Sequence, residues 1–334
     1  MSHVYFAGNE ASAFTFTSNC IESTSGAVTR YDTNYCRGYL SFTSSSTSAD
    51  KWTGTLIDPA TNATTSLTTL WVHFEWFVTN QSASAPFFSC ANSSGVEVVR
   101  GMVTGSNAFK VQYWNGSAWV DTGATLTATQ LSLHIFDFKI VCGASGSVEV
   151  YIDSSLVSSG TIASSSTDNV QTVNLYSTGN TNLAGFSQVL VKDATTILRK
   201  VGNRLINAVG NYSAWTGSGT ITNINEIPLS DANLITDNAN GDKASFKMSA
   251  LTVTPTKVEA FVVSARINHD ASGVQNAKAF IRESSTDYLG NALTVATGLV
   301  GQNAIWETDP ATSAAWAVAA ANSTTLEIGF QANT

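Results

Sequence analysis

The sequence from residue 110 to residue 121 reads Lys110-Val111-Gln112-Tyr113-Trp114-Asn115-Gly116-Ser117-Ala118-Trp119-Val120-Asp121. Its centre, Asn115-Gly116, lies between two runs in which apolar and polar residues alternate. That arrangement is the strongest short-range pattern for a β-hairpin, because a two-residue type I′ turn needs positive φ at both central positions. The stretch therefore predicts two antiparallel strands joined by a tight turn, and it makes an all-β fold the first expectation.

The turn also sets the register of the hairpin. It pairs the following residues across the two strands: Trp114 with Ser117, Tyr113 with Ala118, Gln112 with Trp119, Val111 with Val120 and Lys110 with Asp121. Because side chains alternate between the two faces of a strand, one face suits a core and holds Val111, Tyr113, Ala118 and Val120. The opposite face is polar but carries two tryptophans, and it holds Lys110, Gln112, Trp114, Ser117, Trp119 and Asp121.

Three interpretations of the two tryptophans stay open. They pack beneath a neighbouring loop, they contact another subunit, where Trp is enriched, or they stack on a sugar ring. Gln112 and Asp121 flank the pair and supply hydrogen-bonding groups for a ligand or a subunit. Gln112, Trp114, Trp119 and Asp121 are therefore the candidate binding or interface face.

The composition suits strands better than exposed helices. Charged residues make up 12% of the 334 residues, against about 25% in typical globular proteins. Few charges suit a surface that packs against other subunits or one that survives outside cells, and composition alone does not separate these two. The net charge is −8 without a clustered Lys/Arg run, which disfavours a nucleic-acid partner. No apolar stretch approaches the roughly 20 residues of a membrane span, and the N-terminal residues do not resemble a signal peptide.

Other strands follow from the same alternation. Residues 70–78 place Leu70, Val72, Phe74, Trp76 and Val78 on an apolar face and Trp71, His73, Glu75 and Phe77 on a mixed one. Residues 134–142 and 148–152 continue the apolar face, and strand candidates that recur every ~10 residues fit a sandwich or a jelly roll. Trp71, His73 and Glu75 form a secondary candidate face. The Ser/Thr-rich residues 154–169 are expected to be a loop.

Two domains are expected. A jelly roll occupies residues 1–200, residues 201–212 form a linker region, and a smaller β-sandwich occupies residues 213–334. The strands of the second domain are expected at residues 244–248, 257–267, 277–283, 315–320 and 325–330.

The four cysteines show no metal-binding spacing. Cys90 and Cys142 end apolar strand runs and are expected to be buried thiols. A disulfide between Cys20 and Cys36 is the alternative that the lack of a secretion signal disfavours.

A hydrolase needs a nucleophile with a base, or a pair of carboxylates, and no G-x-S-x-G nucleophile elbow occurs. His73 and Glu75 share a strand face, and Glu149 precedes Asp153 by four residues, but both pairs fit an ordinary polar strand face. Laminarinase-type glucanases carry an E-x-D-x-x-E pattern on a jelly roll, which the spacing here does not match. A glycan-cleaving enzyme is therefore the disfavoured alternative, and no catalytic residue is expected.

Several segments resemble known families. Residues 133–157, which contain Val148-Glu149-Val150-Tyr151-Ile152-Asp153 after Gly146, resemble the strand–turn–strand of concanavalin A-like lectin and laminin-G jelly rolls, with Ser154 where glycine is usual. Four further segments, residues 186–196, 212–217, 223–226 and 305–316, resemble tailed-bacteriophage virion proteins. The last of them matches a W-x-x-D-P-x-T-x-x-x-W pattern from Trp306 to Trp316.

The resemblance implies a virion structural protein of the tail tip or baseplate, in which a lectin-like domain precedes a small β domain. It implies other virion proteins as partners, a homo-oligomer with a trimer favoured, contact with a host-surface glycan or receptor, and synthesis in the host cytoplasm. A capsid decoration or head-fibre protein built from the same modules is the alternative. No cofactor is expected. Some laminin-G-like domains bind calcium, but no calcium ligands can be assigned from this sequence.

Overall fold

The computed structural model describes residues 2–24, 30–43, 45–78, 84–105, 107–129, 131–164, 169–178, 185–222, 224–270, 274–293 and 295–333. Residue 223 and residues 165–168, which belong to segments interpreted above, lie outside these ranges. The chain divides into two compact units. The first comprises Met1–Glu10, Phe14–Leu56 and Thr64–Val201, and the second comprises Ala11–Ala13, Ile57–Ala63 and Gly202–Thr334.

The described part of the first unit is built from strands. In chain order they are β1 (Val4–Gly8), β2 (Thr15–Phe16), β3 (Cys20–Ser23), β4 (Tyr39–Phe42), β5 (Lys51–Thr55), β6 (Thr69–Val78), β7 (Pro86–Ala91), β8 (Glu97–Val103), β9 (Ala108–Trp114), β10 (Trp119–Thr127), β11 (Ser132–Val141), β12 (Gly146–Ile152), β13 (Ser155–Ile162), β14 (Thr172–Tyr176) and β15 (Gly185–Lys192). All described pairings among them are antiparallel.

Two sheets of the first unit make a jelly-roll sandwich, as the alternation predicted. Within the described residues, one sheet has eight strands in the order β13-β12-β11-β6-β15-β4-β3, with β1 beside β15. The other has seven, in the order β10-β9-β8-β7-β14-β5-β2. Non-consecutive neighbours such as β6 and β15 require long connections between the sheets, and such connections are typical of a jelly roll.

An aromatic core lies between the two sheets. The indole of Trp76 stacks on Phe87 of the other sheet at 4.7 Å between ring centroids, and Phe88 contacts Phe138 at 4.3 Å. On the predicted apolar face of β6, Leu70, Val72, Phe74 and Trp76 are fully buried, and the side chain of Val78 lies outside what the structure describes. Gly101 is needed opposite these rings, because a Cβ there would lie 2.4 Å from the Phe87 ring. Close packing of this kind makes truncation of a core aromatic cost about 3–5 kcal/mol.

The second unit is a smaller β-sandwich. Its described strands are β16 (Ile206–Ser213), β17 (Lys243–Met248), β18 (Phe261–Ile267), β19 (Asn276–Glu283), β20 (Thr286–Leu293), β21 (Val300–Trp306), β22 (Thr308–Asp309), β23 (Ala314–Ala315) and β24 (Glu327–Asn333). A short 3-10 helix (Ala11–Ala13) and an α-helix, α1 (Val318–Ala321), also belong to it. A five-stranded sheet has the order β16-β17-β24-β19-β20, and β18 pairs with β21. The two layers meet at a cluster of Val263, Ala279, Leu293 and Ala304.

Several local expectations differ from the structure. Residues 315–320 are not a strand, because the alanine-rich stretch forms helix α1 after a two-residue bridge. Residues 201–212, expected as a linker region, contain most of β16. Residues 155–162 form the edge strand β13 rather than a loop, because their small polar residues pair with β12.

All four cysteines are free and buried. This confirms the prediction for Cys90 and Cys142, and it places Cys20 and Cys36 as separate thiols. The Cys20 thiol hydrogen-bonds to the carbonyl oxygen of Lys51 at 3.3 Å. Burial raises the pKa of Cys20 to about 11, so the thiol stays protonated at neutral pH.

Candidate functional site

A row of polar side chains crosses the seven-stranded sheet on the face opposite the aromatic core. The strand pairings place one such residue on each strand, in the order Thr15, Thr53, Asn174, Ser89, Arg100, Gln112 and Asp121. Their neighbours along the strands, such as Phe88 and Val111, are buried in the core. We call these seven residues the polar row, since alternation along each strand points them away from the core.

The hairpin of β9 and β10 ends the polar row, and its register differs from the prediction. Trp119 pairs with Trp114 rather than with Gln112, and Asp121 pairs with Gln112 rather than with Lys110. The prediction of a two-residue turn is therefore wrong. The register moved by two residues, and an even shift leaves every side chain on the same face.

The cause of the different register lies in the side chain of Asn115. Its Oδ1 accepts hydrogen bonds from the Ser117 backbone N–H at 3.0 Å and from the Ala118 backbone N–H at 2.9 Å. Asn115 thereby closes an Asx-type turn. The loop spans four residues, with Gly116 at a φ of +98°.

The predicted face residues do come together. The rings of Trp114 and Trp119 lie 5.6 Å apart in an edge-to-face arrangement, and both side chains are half-buried. Gln112 donates to an Asp121 carboxylate oxygen at 2.7 Å. The carboxylate also lies 2.9 and 3.0 Å from Lys110 Nζ. Hydrogen bonds from Lys110 and Gln112 lower the pKa of Asp121, so it is ionised at neutral pH.

Arg100 is the central residue of the site, and sequence reasoning missed it. Its Nε and Nη2 donate to Gln112 Oε1 at 3.1 and 2.9 Å, and its guanidinium lies 3.9 Å from the centre of the Trp119 ring. This contact covers one face of Trp119 and is a cation–π interaction. Burial lowers the pKa of Arg100. The signal that could have found it was a lone cation among the otherwise apolar residues 98–103 of β8.

An open depression of about 370 Å³ adjoins these residues. Arg100, Gln112 and Lys110 line it together with Met102 and Thr104. The depression therefore combines hydrogen-bond donors, a thioether and cationic groups beside the tryptophan pair.

In the middle of the polar row, the side chains of Thr53, Asn174 and Ser89 hydrogen-bond to one another. Asn174 accepts from Thr53 at 2.8 Å and donates to Ser89 at 3.0 Å. The Tyr176 hydroxyl donates to Glu97, and burial together with this bond raises the pKa of Tyr176. Ser89, Asn174 and Gln112 are buried. At the hairpin end of the row, Asp121 is exposed and Arg100 is half-buried, and at the other end Thr15 is exposed.

The secondary candidate face is not an open surface. His73 and Glu75 are 0% and 1% exposed. His73 Nδ1 hydrogen-bonds to Asp137 at 2.8 Å, and Thr196 donates to the same carboxylate oxygen at 2.6 Å. Residues of the segment that follows β15 thus cover this part of the eight-stranded sheet.

Glu75 is likewise used internally. Ser187 donates to it at 3.0 Å, Lys200 Nζ lies 2.8 Å away, and Gln188 also donates. Trp71 lies apart from them, 5.5 Å from the Tyr151 ring. The expectation that Trp71, His73 and Glu75 form a candidate binding face is therefore wrong for His73 and Glu75, because both are buried.

The described residues do not gather three or more His, Cys, Asp or Glu side chains in a way that could hold a metal ion. Among the described residues, no helix has the length and apolar character needed to cross a bilayer.

Comparisons with known proteins give only distant likenesses. No family model matches the chain, and no curated protein matches it. Among solved structures, the chain is similar to the globular domain of T. cruzi calreticulin, at 11% identity and a TM-score of 0.44, with 58% of this chain and 89% of that one covered. It is also similar to the receptor-binding domain of botulinum neurotoxin type G, at 10% identity and a TM-score of 0.38, with 90% and 91% covered.

A further likeness is to a carbohydrate esterase from the Shiga toxin-encoding bacteriophage phi24B. The identity is 14% and the TM-score 0.39, with 58% of this chain and all of that chain covered. Identities of this size transfer no activity and no residue role to this chain.

Proposed function

We propose that this chain is a non-enzymatic structural protein of a tailed-bacteriophage particle, located at the tail tip or baseplate. Its jelly-roll unit binds a saccharide of the host surface through the face that Arg100, Gln112, Trp114, Trp119 and Asp121 form. The sequence segments that resemble virion proteins support the first part of the proposal. The geometry at the β9–β10 hairpin supports the second.

The observation that carries saccharide binding is the tryptophan pair beside a fixed set of polar groups. Sugar rings have apolar faces and polar edges, so a site for them needs an aromatic surface with hydrogen-bonding groups around it. Trp114 supplies a partly exposed ring, and the contacts of Gln112 with Arg100 and Asp121 hold all three polar groups in place. Such preorganisation lowers the entropic cost of binding.

Binding rather than cleavage is supported by how two carboxylates of the first unit are used. Asp121 is held by Lys110 and Gln112, and Glu149 is held by Lys139 at 2.6 Å and Tyr151 at 2.7 Å. These hydrogen bonds lower the pKa of both carboxyl groups. A general acid needs a raised pKa, so neither group is suited to protonating a glycosidic oxygen.

The test uses the purified full chain and a panel of immobilised bacterial surface polysaccharides. Trp114→Ala is expected to weaken binding by about 1–3 kcal/mol, a magnitude taken from aromatic–base stacking, while the melting temperature changes little because the side chain is half-buried. Trp71→Ala is the matched control on the other sheet, and it should leave binding unchanged. Unchanged binding by the Trp114 variant would remove the proposed site.

A subunit contact at the same hairpin predicts a different result. Sedimentation of the Trp114→Ala variant would then show a smaller oligomer, with polysaccharide binding intact. The virion assignment is tested separately, by mass spectrometry of purified particles from the phage that encodes the chain. Absence of the protein from those particles would contradict it, and labelled particles imaged by electron microscopy would separate a tail position from a head position.

A further inference from the structure

The open depression beside the hairpin is lined by cationic and neutral side chains. Arg100 and Lys110 contribute the charges, and Gln112 and Met102 are neutral. Among the described residues that line it, none carries a carboxylate. The depression is thus positive within a chain whose net charge is −8.

The charge of Arg100 is not matched by a carboxylate that hydrogen-bonds to it. Its Nε and Nη2 both donate to the neutral amide oxygen of Gln112. The Glu97 carboxylate acts on Arg100 electrostatically, but it accepts hydrogen bonds from Ser89 at 3.0 Å and from Tyr176. The positive charge of the guanidinium can therefore pair with an anionic ligand. Its planar arrangement of N–H donors suits carboxylate and sulfate groups.

Lys110 is paired, but weakly. Its partner Asp121 is 56% exposed, and Lys110 itself is 30% exposed. Exposed ion pairs contribute little stability because water screens them. The Lys110 ammonium can therefore also contact an anionic ligand group in the depression with little loss of protein stability.

We propose that the saccharide bound at this face is an acidic one, and that Arg100 and Lys110 contact its carboxylate or sulfate groups. This inference rests on the proposed function and adds the chemical class of its ligand. The overall negative charge of the chain repels polyanions at long range. Binding of an acidic polysaccharide therefore has to come from local contacts, and it should weaken as salt is added.

The experiment compares charged polymers with neutral polymers of the same backbone. The probes are polygalacturonate, carboxyl-reduced polygalacturonate, dextran sulfate and dextran, each immobilised and tested with the full chain. We expect binding to at least one charged polymer and none to its neutral counterpart. Binding to polygalacturonate alone identifies a carboxylate ligand, and binding to dextran sulfate alone identifies a sulfate ligand.

Two variants are expected to change the binding affinity in opposite directions. Lys110→Gln removes a positive charge and should weaken binding by about fivefold, whereas Asp121→Asn releases Lys110 and should strengthen it by about the same factor. Loss of local structure would weaken binding in both. Lys257→Gln, which removes an exposed charge in the second unit, is the control and should have no effect.

Three outcomes overturn the inference. They are equal binding of the charged and neutral polymers, binding to none of the four, and weaker binding by both the Lys110 and Asp121 variants. The proposed function survives each of them if the bacterial polysaccharide panel still shows binding that depends on Trp114. The saccharide-binding part of the proposed function fails if that panel shows no binding, or binding that does not depend on Trp114.

Discussion

Glu283 and Asp309 bring two carboxyl groups together in the second unit. Asp309 is 3% exposed, its Oδ1 accepts from the Ala311 backbone N–H at 2.8 Å, and Glu283 Oε2 is buried without a hydrogen-bond partner. Burial, and then the nearby Asp309 carboxylate, raise the pKa of Glu283. The folded state therefore holds the Glu283 proton more tightly than the unfolded state does.

The sign of the stability change follows from this raised pKa. The contribution of Glu283 to the stability of the folded second unit is complete below the ordinary glutamate pKa of 4.5. It is lost as the pH rises through the raised pKa. Glu283→Gln keeps the shape and removes the charge, so at pH 8 it should raise the melting temperature by about 2–4 °C. At pH 4 the two chains should melt alike. Calorimetry at both pH values checks this.

The control is Asp270→Asn, which changes an exposed carboxylate in the same unit. It should shift the melting temperature equally at both pH values. A Glu283→Gln variant that stabilises as much at pH 4 as at pH 8 would show that charge is not the cause.

At the scale of elements, the alternation of apolar and polar residues predicted strands more reliably than turns. The buried face of β6 was predictable because a strand packed on one side needs an apolar residue at every second position. The hairpin register was not, because the Asn115 side chain competes with the backbone for the turn hydrogen bonds. Trp114 and Trp119 nevertheless share a face, since a shift of two residues preserves it.

The candidate site was predictable only in part, for a related reason. Gln112, Trp114, Trp119 and Asp121 lie within one hairpin, so local pattern alone placed them together. Arg100 comes from β8, and its position depends on strand pairing that no local pattern contains. Burial of His73 and Glu75 depends likewise on β15 and on the chain that follows it.

The Asn115 turn yields a prediction for the hairpin. Asn115→Ala removes the acceptor of the Ser117 and Ala118 backbone N–H groups, and it should destabilise the hairpin by about 1 kcal/mol. Faster amide hydrogen exchange in a peptide covering residues 110–121 would report it. Asn115→Asp retains the acceptor oxygen and should exchange like the original chain. Equal exchange in the alanine variant would show that the Asn115 side chain does not stabilise the turn.

At the scale of the whole molecule, the second unit uses residues from far earlier in the chain. Ala11–Ala13 and Ile57–Ala63 belong to it, although its main part begins at Gly202. Asn303 is 3% exposed and donates to the Ala13 carbonyl oxygen at 3.2 Å, while Asn291 donates to the Ala60 carbonyl oxygen at 3.1 Å. A composition profile cannot reveal such insertions, because each is too short to shift it.

A fragment of residues 202–334 should therefore be less stable than the same unit in the full chain. It leaves the Asn303 amide without its acceptor, and a buried polar group left unpaired costs about 1–3 kcal/mol. Calorimetry should show a melting temperature several degrees lower for the fragment. Asn303→Ala should then destabilise the full chain more than the fragment, because the fragment has already lost the Ala13 contact. Equal effects in both would mean that Asn303 acts through its bond with Ser264, 2.5 Å away, rather than through the early segment.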